Sequence, residues 1–301
     1  MPRSGMAIPT TLLDIEVPPQ VHDVDDRWTM AYAASLGDSR PAYFDTTSVD
    51  GLVAHPLFAV CVEWPVIVSS RDASRDAGVS ASDVITSVHA THDVEIHRLV
   101  RPGDRLTTTM ETVALVQKSP GAMSTIRLET VDAAGAPVAT TRQDGIYLGV
   151  PVDGDDRPDR DPPPPIAATD RRGEPAEVAI PIAAGAAHTY TECARIWNPI
   201  HTSKQVAFDA GLPDIILHGT ANLAHGVTAV VDAAAGGDPR QVRRISCRFA
   251  AMVRLPDILT VRIWPANPTP DGRRTVPFEV RNSAGETAVS DGLVVLGQPS
   301  G

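Results

Sequence analysis

The chain has 301 residues, of which 43% are hydrophobic and 21% charged; this is a globular balance with room for two domains, each burying its own core. The formal net charge of -11 argues against a nucleic-acid partner, which needs a basic face, but leaves room for a local basic pocket for an anionic ligand. Cys61, Cys193 and Cys247 are scattered, and Asp14 and Glu16 fall where an export signal needs an apolar core, so neither a disulfide framework, a zinc site nor a signal peptide is expected and the cytoplasm is the expected compartment.

In chain order, residues 1–20 read as a tail or first strand. Residues 27–36 carry Trp28, Met30, Tyr32, Ala33 and Leu36 at helical spacing. Gly37-Asp38 ends that helix, and a turn-rich loop follows to Asp45. The apolar segment 57–70 predicts a buried helix in which Pro65 permits a kink. Glu63 and Pro65 interrupt it, and it is too short to span a bilayer.

From Asp93 the period changes to that of strands. Residues 94–99 lead into the turn Arg101-Pro102-Gly103-Asp104, and 106–116, 123–131 and 137–147 are rich in Thr and Val. Asp132-Ala133-Ala134-Gly135 makes a short hairpin connection. His89, His92 and His97 fall on the first of these strands, where alternation would put His89 and His97 on one face and His92 on the other; no third ligand at metal spacing accompanies them. Residues 151–173, with Asp161-Pro162-Pro163-Pro164-Pro165, predict an extended, semi-rigid linker.

Beyond the linker the first half recurs. Tyr190 answers to Tyr32 and Pro199 to Pro41, both at an offset of 158. Arg254-Leu255-Pro256-Asp257 answers to the first Pro-turn, and Asn282-Ser283-Ala284-Gly285 to the first hairpin. The order loop, helix, strands repeats, which an internal duplication explains. Each copy has an α+β pattern, so the expected units are 1–150 and 174–301. Arg243, Arg244, Arg248 and Arg254 read as solvated strand edges, with contact to cofactor phosphates as the alternative.

Two stretches of the second half carry a motif: Arg195-Ile196-Trp197-Asn198-Pro199-Ile200-His201, and Ile215-Ile216-Leu217-His218-Gly219-Thr220. Together they resemble the hydratase loop and the His-Gly helix start of the MaoC-like (R)-specific enoyl-CoA hydratases. That family's loop reads Ser-Gly-Asp-x-Asn-Pro-Ile/Leu-His; Asn198, Pro199, Ile200 and His201 match it, and Ile196 stands at the Asp position. The resemblance implies a double hot-dog, each unit an antiparallel sheet wrapped around a central helix. It implies reversible addition of water to a trans-2-enoyl thioester of coenzyme A or an acyl carrier protein. His201 would be the base, the Gly219 N–H the donor to the thioester oxygen, and Asn198 a residue that shapes the loop. His218, Ile196, Tyr43 and Trp197 would line the substrate site, with holding the loop the alternative for His218 and packing the stronger reading for Trp197.

In the first half, Gly37-Asp38-Ser39-Arg40-Pro41-Ala42-Tyr43 aligns with the same loop: Asp38 holds the Asp position and Tyr43 the His position. The halves hold complementary remnants, so Asp38 and His201 joined in one site, Asp38 with Tyr43 in another, and a bland cap role for Asp38 are the competing expectations. No cofactor, metal or membrane partner is expected, and the chain is expected as a homo-oligomer or a pseudo-dimeric monomer. Other readings are a different thioester-directed enzyme that uses Asp38 or Glu63, such as a thioesterase or a natural-product dehydratase or cyclase, and a non-catalytic acyl-binding subunit.

Overall fold

Thr and apolar residues alternating along the chain draw its long strands. The computed structural model describes residues 7–80, 83–84 and 87–298. The first half runs β1 (Ile8–Pro9), β2 (Gln20–Asp23), α1 (Asp26–Ser35), α2 (Pro41–Phe44), α3 (Ala59–Asp76), β3 (Val88–Ile96), β4 (Arg105–Lys118), β5 (Gly121–Val131), β6 (Pro137–Leu148) and β7 (Val152–Asp153). The second runs β8 (Ala176–Ile182), α4 (Ala186–Ala194), α5 (Lys204–Asp209), α6 (Gly219–Ala234), β9 (Val242–Phe249), β10 (Asp257–Ile263), β11 (Asn267–Pro268), β12 (Arg274–Arg281) and β13 (Thr287–Leu296). In β4, Leu106, Thr108, Met110 and Thr112 turn inward while their neighbours face out, the period-2 pattern of a sheet with one covered face.

The helices start where side chains or burial provide. Asp25 accepts the Trp28 N–H at 2.8 Å and so caps α1. α3 runs past the expected 57–70 and keeps Pro65 inside it. The proline deletes one backbone hydrogen bond, and burial of Val60, Cys61, Val62 and Val66 holds the helix despite that loss. In α6, a Cβ on Gly226 would lie 2.5 Å from the Phe278 ring; glycine lets this helix sit close on β12.

The main sheet has eleven strands in the order β2-β4-β5-β6-β3-β9-β13-β12-β10-β8, with β11 on β12. The order reads the same from both ends when the second half is matched to the first, so a pseudo-two-fold axis passes between β3 and β9. α3 packs on β2, β4 and β5, and α6 on β9, β10, β12 and β13. Each half is thus an antiparallel sheet around one long helix, and the two form a double hot-dog. The helices α1 and α4 also meet, with Tyr32 and Tyr190 at the contact.

Two expectations are corrected here. β9 lies in the middle of the sheet, paired with β3 from Thr91↔Arg248 to Glu95↔Arg244, so its arginines do not stand on an edge. Arg244 spends its guanidinium on Asp93 at 2.6 and 2.7 Å and on the Pro164 carbonyl at 2.7 Å. The histidines of β3 also depart from strict alternation: the register shifts between His89 and Thr91, and the His89 and His92 rings meet at 5.6 Å. A bulge inserts one residue and returns both to the same side.

The Pro-rich connection is tied to successive strands. Leu115 bridges Arg157, Arg142 reaches Asp159 at 3.2 Å, and Thr275 donates to the Ala167 carbonyl at 2.8 Å. Among the described residues, no helix is long and apolar enough to cross a membrane.

Candidate active site

The second-half loop begins where α4 stops. Arg195 takes the left-handed conformation, φ 57°, as Gly37 does at the equivalent place, φ 68°. The chain turns there, and Ile196 drops into the core, 5% exposed. Asn198 precedes a single 3-10 turn, Pro199–His201, and its carbonyl accepts the His201 N–H at 3.1 Å. Ser203 then caps α5. The turn delivers the His201 ring to a buried position where Nδ1 lies 2.8 Å from the Ile216 carbonyl. A carbonyl only accepts, so Nδ1 carries the proton and Nε2 keeps its lone pair. Burial pushes this imidazole down to about 4, against the pull of the Ile216 carbonyl and with further lowering by Arg71.

His218 precedes α6, and its ring stacks on His201 at 3.7 Å. Its Nε2 lies 3.2 Å from the Thr191 hydroxyl. Burial and then His201 keep it neutral. The N-terminus of α6 has no side-chain cap; among the described residues the Gly219 N–H has no backbone acceptor, as befits a first-turn donor. A Cβ on Gly219 would meet Phe249 ring carbons at 3.2 Å, so the ring packs directly on the bare backbone of this helix start. His201, His218 and Gly219 therefore come together at one helix start. Asn198 stands half-buried beside them in sequence, and Trp197 is 59% exposed.

The first-half loop is arranged differently. Arg40 forms ion pairs with Asp38 and with Asp232 of α6, the latter at 2.6 Å, and donates to the Thr228 carbonyl at 2.9 Å. The Thr228 hydroxyl donates to Asp38 at 3.0 Å. His55 Nδ1 accepts the Leu57 N–H at 3.1 Å, which leaves its Nε2–H to reach Thr228 Oγ1 at 3.2 Å. Burial raises the Asp38 carboxyl, while Arg40 and Thr228 draw it back; burial pushes the Tyr43 hydroxyl up. Where the second half has His218-Gly219, the first has His55-Pro56, and proline offers no N–H. This loop has neither a free base nor the helix-start donor. Glu63 is fully buried on α3 and accepts from Thr141 at 2.5 Å, away from both loops' hydrogen bonds.

A row of six rings connects the loops: His201, His218, Tyr190, Tyr32, His55 and Tyr43, with successive centroids 3.7, 4.9, 5.7, 5.6 and 5.9 Å apart. Asp38 sits at the Tyr43 end, so it forms no dyad with His201. Sequence reasoning missed His55, Pro56 and Thr228 at the first loop and Phe249 against Gly219 at the second. The His-x helix start at His55 was a usable signal; Thr228, 190 residues from Asp38, gave none. Among the described residues no three His, Cys, Asp or Glu side chains gather to hold a metal ion.

Comparison with known proteins agrees with this fold. Residues 169–288 match the MaoC like domain, and residues 20–141 match the FAS1-like dehydratase domain region. Enoyl-CoA hydratase ChsH3 of Mycobacterium tuberculosis is 32% identical over 120 residues, 40% of this chain and 40% of that protein's own length. Among solved structures, a MaoC-like dehydratase from Phytophthora capsici superposes with a TM-score of 0.80 at 20% identity, covering 96% of this chain and 99% of that one. A conserved hypothetical protein from Mycobacterium tuberculosis with a double hotdog fold superposes with a TM-score of 0.61 at 16% identity over 94% and 97% of the two chains.

Proposed function

Because the second half of this chain is a MaoC-like domain within a double hot-dog, we propose that it adds water to trans-2-enoyl thioesters, or removes it from (3R)-hydroxyacyl thioesters, at His201 and Gly219. The observation that carries this reading is the tautomer of His201: Nδ1–H is committed to the Ile216 carbonyl at 2.8 Å, so Nε2 is the basic atom. Homology to an enoyl-CoA hydratase supports the reaction class.

In hydration, Nε2 takes a proton from water as the water oxygen bonds to the β-carbon. The π electrons shift to the thioester oxygen, and the Gly219 N–H at the positive end of α6 stabilises that charge. The imidazolium then returns its proton to the α-carbon on the same face, which gives syn addition with one base. Ile196 cannot share the water; we assign that task to the Asn198 amide of the same loop, half-buried. The carrier is coenzyme A or an acyl carrier protein.

Hydration of crotonyl-CoA and of a longer trans-2-enoyl-CoA, followed as loss of the conjugated-thioester absorbance, tests the proposal. Turnover by the wild type that His201→Ala abolishes supports it; no turnover on either substrate overturns it. Ile196 at the Asp position also favours a second reading, a non-catalytic acyl-binding subunit, which would bind enoyl-CoA without turnover.

A further inference from the structure

Two adjacent residues of α4 hold the chain on either side of Gly219. The Tyr190 hydroxyl donates to Thr220 Oγ1 at 3.1 Å, and the Thr191 hydroxyl lies 3.2 Å from His218 Nε2. Both residues are buried, where a hydroxyl needs a partner. A threonine inside a helix can return its hydroxyl to the carbonyl one turn back, as Thr189 of the same helix does to Gly185 at 3.3 Å. Thr191 directs its hydroxyl to the start of α6 instead.

That helix start needs support. It has no side-chain cap, and it opens on glycine, the backbone with the most freedom to lose. The same bracket reaches the base. Thr191 meets one edge of His218, and His218 stacks on His201 at 3.7 Å with the planes 25° apart. The Ile216 carbonyl holds the far side of His201 at 2.8 Å from Nδ1. The His201 imidazole is thus held at one edge and on one face.

The first half supplies the contrast. At the places of Thr191 and Thr220 it has Ala33 and Leu57. His55 therefore turns its nitrogens to the Leu57 N–H and to Thr228. Among the described residues, the Tyr32 hydroxyl meets only that of Tyr190, at 3.4 Å. The bracket is built in the half that carries the Asn-Pro-Ile-His loop and the bare glycine, so the hot-dog fold does not itself require it.

We propose that Thr191 and Tyr190 are positioning residues for the reaction: together they fix the Gly219 N–H and the His201 ring relative to each other. The inference rests on the reading of His201 and Gly219 as the reacting pair. A base and an oxyanion donor from separate elements serve one substrate only while their spacing holds, and a misplacement of about 1 Å can cost about 100-fold in rate.

Thr191→Val and Tyr190→Phe each remove one hydroxyl and keep the side chain's shape. Tyr32→Phe removes a hydroxyl of the same tyrosine pair but leaves both bracket contacts in place. With crotonyl-CoA, the first two should lower kcat about 10-fold and change KM by less than about twofold. Thr191→Ser should recover most of the loss, and Tyr32→Phe should match the wild type. Equal losses in Thr191→Val, Tyr190→Phe and Tyr32→Phe, following their urea midpoints, would make the contacts a matter of stability and overturn the proposal. So would an unchanged kcat in the first two. Ring-nitrogen NMR of the same proteins needs no turnover: the His201 signals should move in Thr191→Val and stay in Tyr32→Phe. Unmoved signals in Thr191→Val overturn the bracket, whereas absence of wild-type turnover sinks the hydratase reading and leaves the NMR comparison to decide on the bracket.

Discussion

Tyr32 and Tyr190 place their hydroxyls 3.4 Å apart although 158 residues separate them. They occupy equivalent positions of the two units, so the contact marks the pseudo-two-fold axis. On one side Tyr190 passes its hydrogen bond to Thr220 at the start of α6, 3.1 Å away; on the other, Tyr32 leans on His55. The two loop sites are therefore built back to back on one pair of tyrosines.

His201→Ala and Asp38→Asn should separate activity from stability. Loss of the base is expected to lower hydration about 10²- to 10⁴-fold with little change in unfolding free energy. Asp38→Asn leaves Arg40 facing Asp232 alone, so it should cost about 1–3 kcal/mol of stability while changing kcat/KM by less than about threefold. Urea unfolding and steady-state kinetics on both variants check this; equal loss of activity in both would contradict the assignment of the first groove.

Gly219→Ala places a Cβ 3.2 Å from Phe249 ring carbons. The helix start must then shift by a few tenths of an ångström, which disturbs the oxyanion donor. Expected is a fall in kcat of about 10-fold or more, with KM less affected. The double variant Gly219→Ala/Phe249→Leu should regain part of the loss, because the ring is what the methyl strikes. No recovery would mean that the Ala side chain acts on the substrate itself.

Ile196→Asp would restore a carboxylate to the loop. A nearby negative charge favours imidazolium, so the acid limb of the kcat/KM profile should move to higher pH than in the wild type, whose His201 is held at about 4. The rate near neutrality should rise, and stability should fall by about 1–3 kcal/mol because the site is buried. An unmoved acid limb would show that this position does not act on His201.

Stability should peak near neutrality. Burial holds His55 at about 3 and His89, His201 and His225 at about 4, against roughly 6.5 in the unfolded chain. The unfolded state binds more protons between those values, so stability is full above about pH 6.5 and drains away as pH falls toward 4. Glu63 runs the other way: burial raises it to about 7, so stability falls as pH rises from roughly 4.5 through 7. Glu63→Gln keeps an acceptor for Thr141 and should stabilise the protein at pH 8 but not at pH 5, as read by urea midpoints. The same difference at both pH values would refute the buried-acid account.

The repeat, the helix at α1, the strands β4 to β6 and the loop ending at His201 were legible because each follows from local rules. Alternation marks a strand, Asn-Pro marks a turn, and an apolar run before His-Gly marks a helix start. The relation of β3 to β9 was not legible, since pairing across the axis leaves no trace in either strand alone; Arg244 looked solvated for that reason. The face of His89 was misjudged because one bulged residue reverses an alternating pattern.

The sequence by itself determined the double hot-dog and which half carries the Asn-Pro-Ile-His loop and the bare glycine, because secondary structure and loop chemistry are written in neighbouring residues. Tertiary structure alone decided which nitrogen of His201 is basic, and that Thr228 and Asp232 gather around Arg40 at the first loop. Each of these depends on a hydrogen-bond acceptor or a charge brought from a distant part of the chain, and only packing of the two units fixes which groups face one another.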